Sequence, residues 1–410
     1  MKAASKLFST ACVIIVLIAT CAKGATVKKS PAIGPYLITN DNITTNTATI
    51  YKILANGSLT LVTTLTTGGT GNFSGFFATA NVNVPRSTAQ ACAFVSDGNP
   101  NFATATIPDV AAINLKTLKV VGTFPARAKD NGSDDGVALA DAGNFLIAAF
   151  TGNTGFFQPP TLGTYQILAG CKLKYLGSIT ALGLNRGTPI GIKATPNGKI
   201  LIVSYSDSSV GSFSISATGK LKLIRQEGTT TGALAAGVDI TADGKWAIFG
   251  DAATPPAVDV APIKSNGALG PTVNYSPFNV SANSNNVLLS PDGTVLFVGN
   301  NSLGTVAAAP FSTSTGKVDI AHSCTSGILK LFDLDWFDGA GLSFSSTTGT
   351  GGKIYLAQLG FAPAGIAILK YSTIEKDVPC EWDEAPSSPA SDPNQSFSLL
   401  SIGRYPPRSF

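Results

Sequence analysis

Several small groups of side chains in this 410-residue chain have types and spacings that could do chemistry. Asp134 and Asp135, in "DNGSDDG", are adjacent carboxylates. They could hold a calcium ion or polarise a water molecule, or simply solvate a turn. Asp333, Asp335 and Asp338, in "FDLDWFDG", follow a D-x-D-x-x-D-G pattern. Calcium loops use oxygen ligands at alternate positions, but this spacing is off by one residue and has no distal Glu. Asn285 and Asn286, in "SANSNNVLLS", offer two amides that could bind sugar hydroxyls or cap a strand. Asp239, in "AAGVDITADG", is a further carboxylate just ahead of a turn. The one histidine, His322, reads as an exposed loop residue, which argues against His-rich metal centres and most proton-shuttling dyads. Residues 67–72, "TGGTGN", are glycine-rich but follow a strand with no helix after it, so they read as a loop and not a phosphate cradle.

The elements that must position these residues come from a repeat. Four phrases, "ALADAGNFLIAAFTGN", "KATPNGKILIVSYSDS", "DITADGKWAIFGDA" and "LLSPDGTVLFVGNN", share a strand, a polar turn and an apolar strand. Asn-Gly and Asp-Gly are strong hairpin signals because both residues tolerate positive φ. The turn glycines stand at 143, 198, 244 and 293, so they are 55, 46 and 49 residues apart. That is the period of one four-stranded propeller blade. Weaker copies place second strands near residues 36, 92 and 354, giving seven in all. The expected fold is therefore all-β, a seven-bladed β-propeller of four-stranded antiparallel blades. Runs apolar at nearly every position, such as "ILIVSY", fit sheets buried on both faces. Residues 376–396 contain four prolines and read as a loop inserted before a last strand, "FSLLSIG". The first blade lacks an innermost strand, which predicts that ring closure mixes the two termini.

Residues 1–24 read as a signal peptide, with a basic start, a short apolar run and small residues after it. Residues 25–410 would form the propeller. The apolar run is too short to span a membrane comfortably, so no transmembrane segment is expected in the mature chain. "IATC" resembles a lipobox, which makes lipid anchoring through Cys21 the alternative to plain secretion or export to a periplasm. The signal carries three lysines and no acid, so 28 basic residues fall to 25 against 24 acidic, and no nucleic-acid footprint remains. Four cysteines outside the signal allow three connectivities. Neighbouring blades favour Cys92–Cys171 and Cys324–Cys380.

The phrase "LLSPDGTVLFVGNNSLGTV" and its copies resemble the lactonase-type seven-bladed propellers, which include 6-phosphogluconolactonase and YVTN-repeat proteins. The resemblance runs from about Ile33 to Gly403 and implies the fold more than the activity. The family's inner strands carry Arg, His and Glu before the turn, in phrases like "PRHLAFHPDG" and "AAEIRISPDG". Here Ile190 stands for the arginine and Gly191 for the histidine, Gly237 for the glutamate and Asp239 for a second arginine. The leading expectation is therefore a secreted, monomeric binding or scaffold module, taking a small molecule, glycan or protein at the channel or top face. The alternative is a divergent lactone hydrolase using Asp134, Asp135 or Asp239, working with or without calcium as a cofactor.

Overall fold

The computed structural model describes residues 33–41, 43–71, 82–86, 90–98, 109–125, 136–150, 159–229, 235–251, 257–276, 284–300, 305–325, 342–344, 351–358, 365–374, 378–384, 390–391 and 401–405. Among these residues the strands fall into seven antiparallel sheets. The first contains β1 (Tyr36–Asn40), β2 (Thr47–Ile53) and β3 (Leu59–Thr66). The second contains β4 (Val82–Asn83), β5 (Cys92–Ser96), β6 (Asp109–Asn114) and β7 (Lys119–Pro125). The third contains β8 (Gly136–Ala142), β9 (Phe145–Phe150), β10 (Thr161–Ile167) and β11 (Leu173–Thr180). The fourth contains β12 (Pro189–Ala194), β13 (Ile200–Tyr205), β14 (Ser209–Ile215) and β15 (Leu221–Gly228). The fifth contains β16 (Ala235–Ile240), β17 (Trp246–Asp251), β18 (Ala257–Pro262) and β19 (Val273–Tyr275). The sixth contains β20 (Ser284–Leu289), β21 (Val295–Asn300), β22 (Thr305–Ser312), β23 (Lys317–Val318) and β24 (Cys324–Thr325). The seventh contains β25 (Leu342–Phe344), β26 (Gly351–Gln358), β27 (Gly365–Ile374), β28 (Val378–Glu384) and β29 (Ala390–Ser391).

The last strand, β30 (Ser401–Tyr405), returns to pair antiparallel with β1, Tyr36 opposite Tyr405 and Asn40 opposite Ser401. The first sheet thus takes its missing innermost strand from the far end of the chain, at Ser401–Tyr405 among the described residues. The innermost strands touch in a closed circuit: β4, β8, β12, β16, β20, β25, β30 and back to β4. Second strands begin at Tyr36, Cys92, Phe145, Ile200, Trp246, Val295 and Gly351, matching the sequence spacing.

Packing explains the unbroken apolar runs. Leu201, Ile202, Val203 and Tyr205 of β13 are all fully buried, because one face meets the third sheet and the other meets the fifth. Each such side chain contributes roughly 1.5–3 kcal/mol of transfer free energy. Outer strands instead alternate, as in β11, where every second residue from Lys174 to Thr180 is exposed. Small residues such as Ala138, Ala140, Ala149 and Ala194 fill the third-to-fourth sheet contact nearest the inner strands.

Two expectations need correction. Residues 376–396 are not wholly a loop, since β28 pairs with β27 and β29 pairs with the other end of β27. Pro379 is tolerated because β28 is an outer strand and the register slips between Ser372↔Glu381 and Ile374↔Val378, leaving proline in the irregularity where no ladder donor is needed. The Asn-Gly and Asp-Gly turns also differ from tight two-residue hairpins. Gly198, Gly244 and Gly293 alone take positive φ, while Asn197, Asp243 and Asp292 stay at negative φ. The amide of Gly198 donates to Thr195 O and the amide of Thr195 to Ile200 O, closing a wider loop.

Candidate functional site

Two ion pairs join neighbouring innermost strands. Asp239 of β16 is 1 % exposed. Its Oδ1 lies 3.6 Å from Lys193 Nζ on β12 and accepts the amide of Ile240 at 2.9 Å. Its Oδ2 accepts the amide of Leu289 on β20, also at 2.9 Å. One carboxylate therefore ties three consecutive inner strands together. Lys193 and Asp239 each stand five residues before their turn glycine, so they occupy the same place in successive repeats with opposite charge.

The second pair is built from Arg86 and Asp141 of β8. Arg86 Nε lies 3.2 Å from Asp141 Oδ2, and the Arg86 amide donates to the same oxygen at 3.1 Å. Asn83 of β4 donates its Nδ2 to Asp141 Oδ1 at 3.3 Å. The guanidinium reaches on to Ala194 O of β12 at 2.9 Å. This pair ties the second, third and fourth sheets. Together Asn83, Arg86, Asp141, Lys193 and Asp239 form a polar belt across the inner strands from β4 to β20.

What the belt can do follows from what is already satisfied. Asp239 is buried, its Oδ1 accepting the amide of its own neighbour Ile240 and its Oδ2 the Leu289 amide of the next inner strand, so both oxygens already hold a structural hydrogen bond. Lys193 differs, because its side chain is 35 % exposed while the rest of β12 is nearly all buried. Lys193 is thus a solvent-accessible cation on an otherwise buried innermost strand. An ammonium held there by a buried carboxylate is a fixed positive charge for a carbonyl, carboxylate or phosphate oxygen.

The other expected residues fall as follows. Asp134 and Asp135 lie outside the described residues, immediately before β8, and Asp333, Asp335 and Asp338 lie outside them as well. Asn285 and Asn286 stand at the start of β20, an innermost strand, with a register irregularity between Ser284 and Asn286. Their side chains are outside the described set. His322 is 57 % exposed in a short turn and makes a 2.7 Å contact with Asp319. Cys92 and Cys171 form a disulfide with Cα atoms 5.6 Å apart. Cys324 lies on β24, which packs against β28, the strand carrying Cys380.

Sequence reasoning missed Lys193, Arg86 and Asp141. Lys193 was legible from its repeat position opposite Asp239. Arg86 and Asp141 were not, since Arg86 follows a two-residue strand and Asp141 sits in the one repeat with an Ala-Gly turn.

The closed circuit of antiparallel sheets is a β-propeller fold, and its likeness to solved structures is to the lactonase type. A protein from Bacteroides uniformis assigned as a 6-phosphogluconolactonase matches it with a TM-score of 0.65 at 12 % identity, covering 90 % of this chain and 99 % of its own. One from Bacteroides fragilis, with the same assignment, gives 0.64 at 14 % identity, over 92 % and 99 %. A protein from Lactobacillus plantarum gives 0.61 at 14 % identity, over 90 % and 98 %. No family model matches the sequence, and no curated protein does. At these identities the likeness concerns the fold.

Proposed function

We propose that this chain is a divergent lactone hydrolase, its seven sheets the seven blades of the propeller and its ligand seated on the inner strands at Lys193. The observation that carries this reading is the half-exposed Lys193 ammonium fixed by buried Asp239. It would bind the carbonyl oxygen of the lactone and stabilise the charge that develops there as water adds and the ring C–O bond breaks. Asp134 or Asp135, placed by sequence just ahead of inner strand β8, would activate the water. The likeness to proteins assigned as 6-phosphogluconolactonases supports the substrate class by fold analogy alone. The Cys92–Cys171 disulfide supports an exported protein, since such bonds persist in oxidising compartments. Among the described residues no helix is long and apolar enough to cross a membrane.

The test is hydrolysis of a panel of sugar lactones by the purified protein. Lys193→Gln should lower kcat/KM by about 100-fold, the scale of losing one oxyanion donor. Lys193→Arg should recover part of it, and both should melt as cooperatively as the parent. If no lactone is turned over, the second reading stands, a propeller that binds a small molecule, glycan or protein through the same belt. The satisfied carboxylates of Asp141 and Asp239 favour that reading, and binding screens with Lys193→Gln as the control would then follow.

A further inference from the structure

A second group of acids lies between the first and second sheets, where the chain leaves a second strand and enters a third. In the fourth sheet the same place shows how such a site is normally satisfied. Asp207 follows β13, and its Oδ2 accepts the amides of Asn185 and Gly187 at 2.6 and 2.9 Å. Its Oδ1 accepts the amide and hydroxyl of Ser209, the first residue of β14. Burial alone would raise the Asp207 carboxyl, but these donors hold it below its usual range.

In the second sheet the counterpart is Asp97, just after β5, and the first residue of the third strand is Asp109 instead of a serine. A donor has been replaced by a second carboxyl. Asp97 Oδ1 accepts Asn46 Nδ2 at 2.6 Å and the Thr67 hydroxyl at 2.9 Å. Its Oδ2 faces the Asp109 carboxyl and has no donor, nor has Asp109 Oδ1. Asn46 Oδ1 is buried without a partner too. Its orientation is fixed, because Asn46 Nδ2 is needed for both Asp97 and Asn40 Oδ1. Asp97 is 1 % exposed and Asn46 fully buried, and among the described residues no Lys or Arg pairs with either aspartate.

The described part of the glycine-rich stretch, residues 67–71, shapes this cluster. Thr67 supplies the hydroxyl donor, and Thr70 bridges to Gly98. A Cβ on Gly69 would lie 2.5 Å from the Asp97 carboxyl, so only glycine leaves room for it. One proton shared between the two acids would satisfy Asp97 Oδ2 and Asp109 Oδ1 but leave Asn46 Oδ1 orphaned. A cation bridging Asp97 Oδ2 and Asp109 Oδ1 would neutralise both acids together, and the buried, unpartnered Asn46 Oδ1 is the further hard oxygen of the cluster.

We propose that Asn46, Asp97 and Asp109 bind a divalent cation, calcium by ligand type, cradled by residues 67–71 between the first two sheets. The test uses the full-length protein, stripped with EGTA and then melted against increasing calcium or magnesium at neutral pH. Calcium should raise the melting temperature saturably and by more than magnesium does. Asp109→Asn, which keeps the shape and removes a like charge, should abolish the shift, and Asp335→Asn should leave it intact. Calorimetric titration of the parent with calcium gives the same readout should Asp109→Asn fail to fold: heat of binding that Gly69→Ala weakens at least tenfold. No calcium-dependent shift in the parent, an equal shift in Asp109→Asn, or loss of the shift in Asp335→Asn would overturn the proposal.

Discussion

At the scale of the residue, the recurring Ser/Thr-x-Asp/Asn-Gly phrase is a set of hydrogen bonds as well as a glycine. In the fifth sheet Thr241 Oγ1 donates to Asp243 Oδ1, and the amide of Lys245 donates to the same oxygen. In the sixth sheet Ser290 and the Thr294 amide do the same for Asp292. Burial pushes both carboxyls up, yet these donors hold Asp243 and Asp292 below the usual carboxylate range. A carboxyl with a depressed folded value stabilises the fold above its unfolded value, about 4, and loses that contribution as pH falls through the folded value. Asp207 adds to the same window. Thermal melts should therefore decline below about pH 4. Asp292→Asn should show a shallower decline, and an identical pH profile in that variant would remove these turns as its source.

At the scale of the element, neighbouring sheets are joined by a contact that repeats. The first residue of a second strand tucks beneath the outer turn of the next sheet. A Cβ on Gly219 would lie 2.9 Å from Phe145, one on Gly267 2.3 Å from Ile200, and one on Gly316 2.4 Å from Trp246. Trp246 also donates its Nε1 to Thr313 O at 2.9 Å. Cys92 and Cys171 occupy the same two positions in the second and third sheets, so the disulfide is the covalent form of this contact. Gly316→Ala should be strongly destabilising, with about 1–2 kcal/mol from the backbone alone at φ +69° and more from the ring it would displace. A melting temperature within a degree of the parent would refute this contact as a structural joint. The turn glycines 143, 198, 244 and 293 were legible in the sequence because backbone chirality restricts what can replace them. The partners of Gly219, Gly267 and Gly316 were not, since they lie a whole repeat away and follow only from the packing angle between sheets.

At the scale of the whole molecule, closure rests on β30. Five inter-strand pairs join it to β1, and Gly403 lies against Val82 and Val84 of the second sheet. Truncation after residue 400 should remove the cooperative thermal transition, as followed by circular dichroism. A cooperative melt in the truncated chain would mean that the ring does not depend on this strand. The all-β class and the spacing of the second strands could be read from the chain, because turn spacing repeats with chemistry that local sequence dictates. The candidate site could be read only in part. Asp239 stood out as the remaining acid at a family position, whereas Lys193 and Arg86 acquire meaning only when strands far apart in sequence are brought side by side.

The tucked contacts all point the same way around the ring, from one sheet to its successor. The four seams from the second sheet to the sixth therefore work as locks and keys with one side on each sheet: cysteine with cysteine, Phe145 with Gly219, Ile200 with Gly267, Trp246 with Gly316. Sheets of near-identical grammar are consequently not interchangeable parts. Exchanging the third and fourth sheets would set Cys92 against a turn without a cysteine and leave Gly267 facing a phenylalanine. The order of the sheets is written twice in this chain, once by connectivity and once by which edges fit.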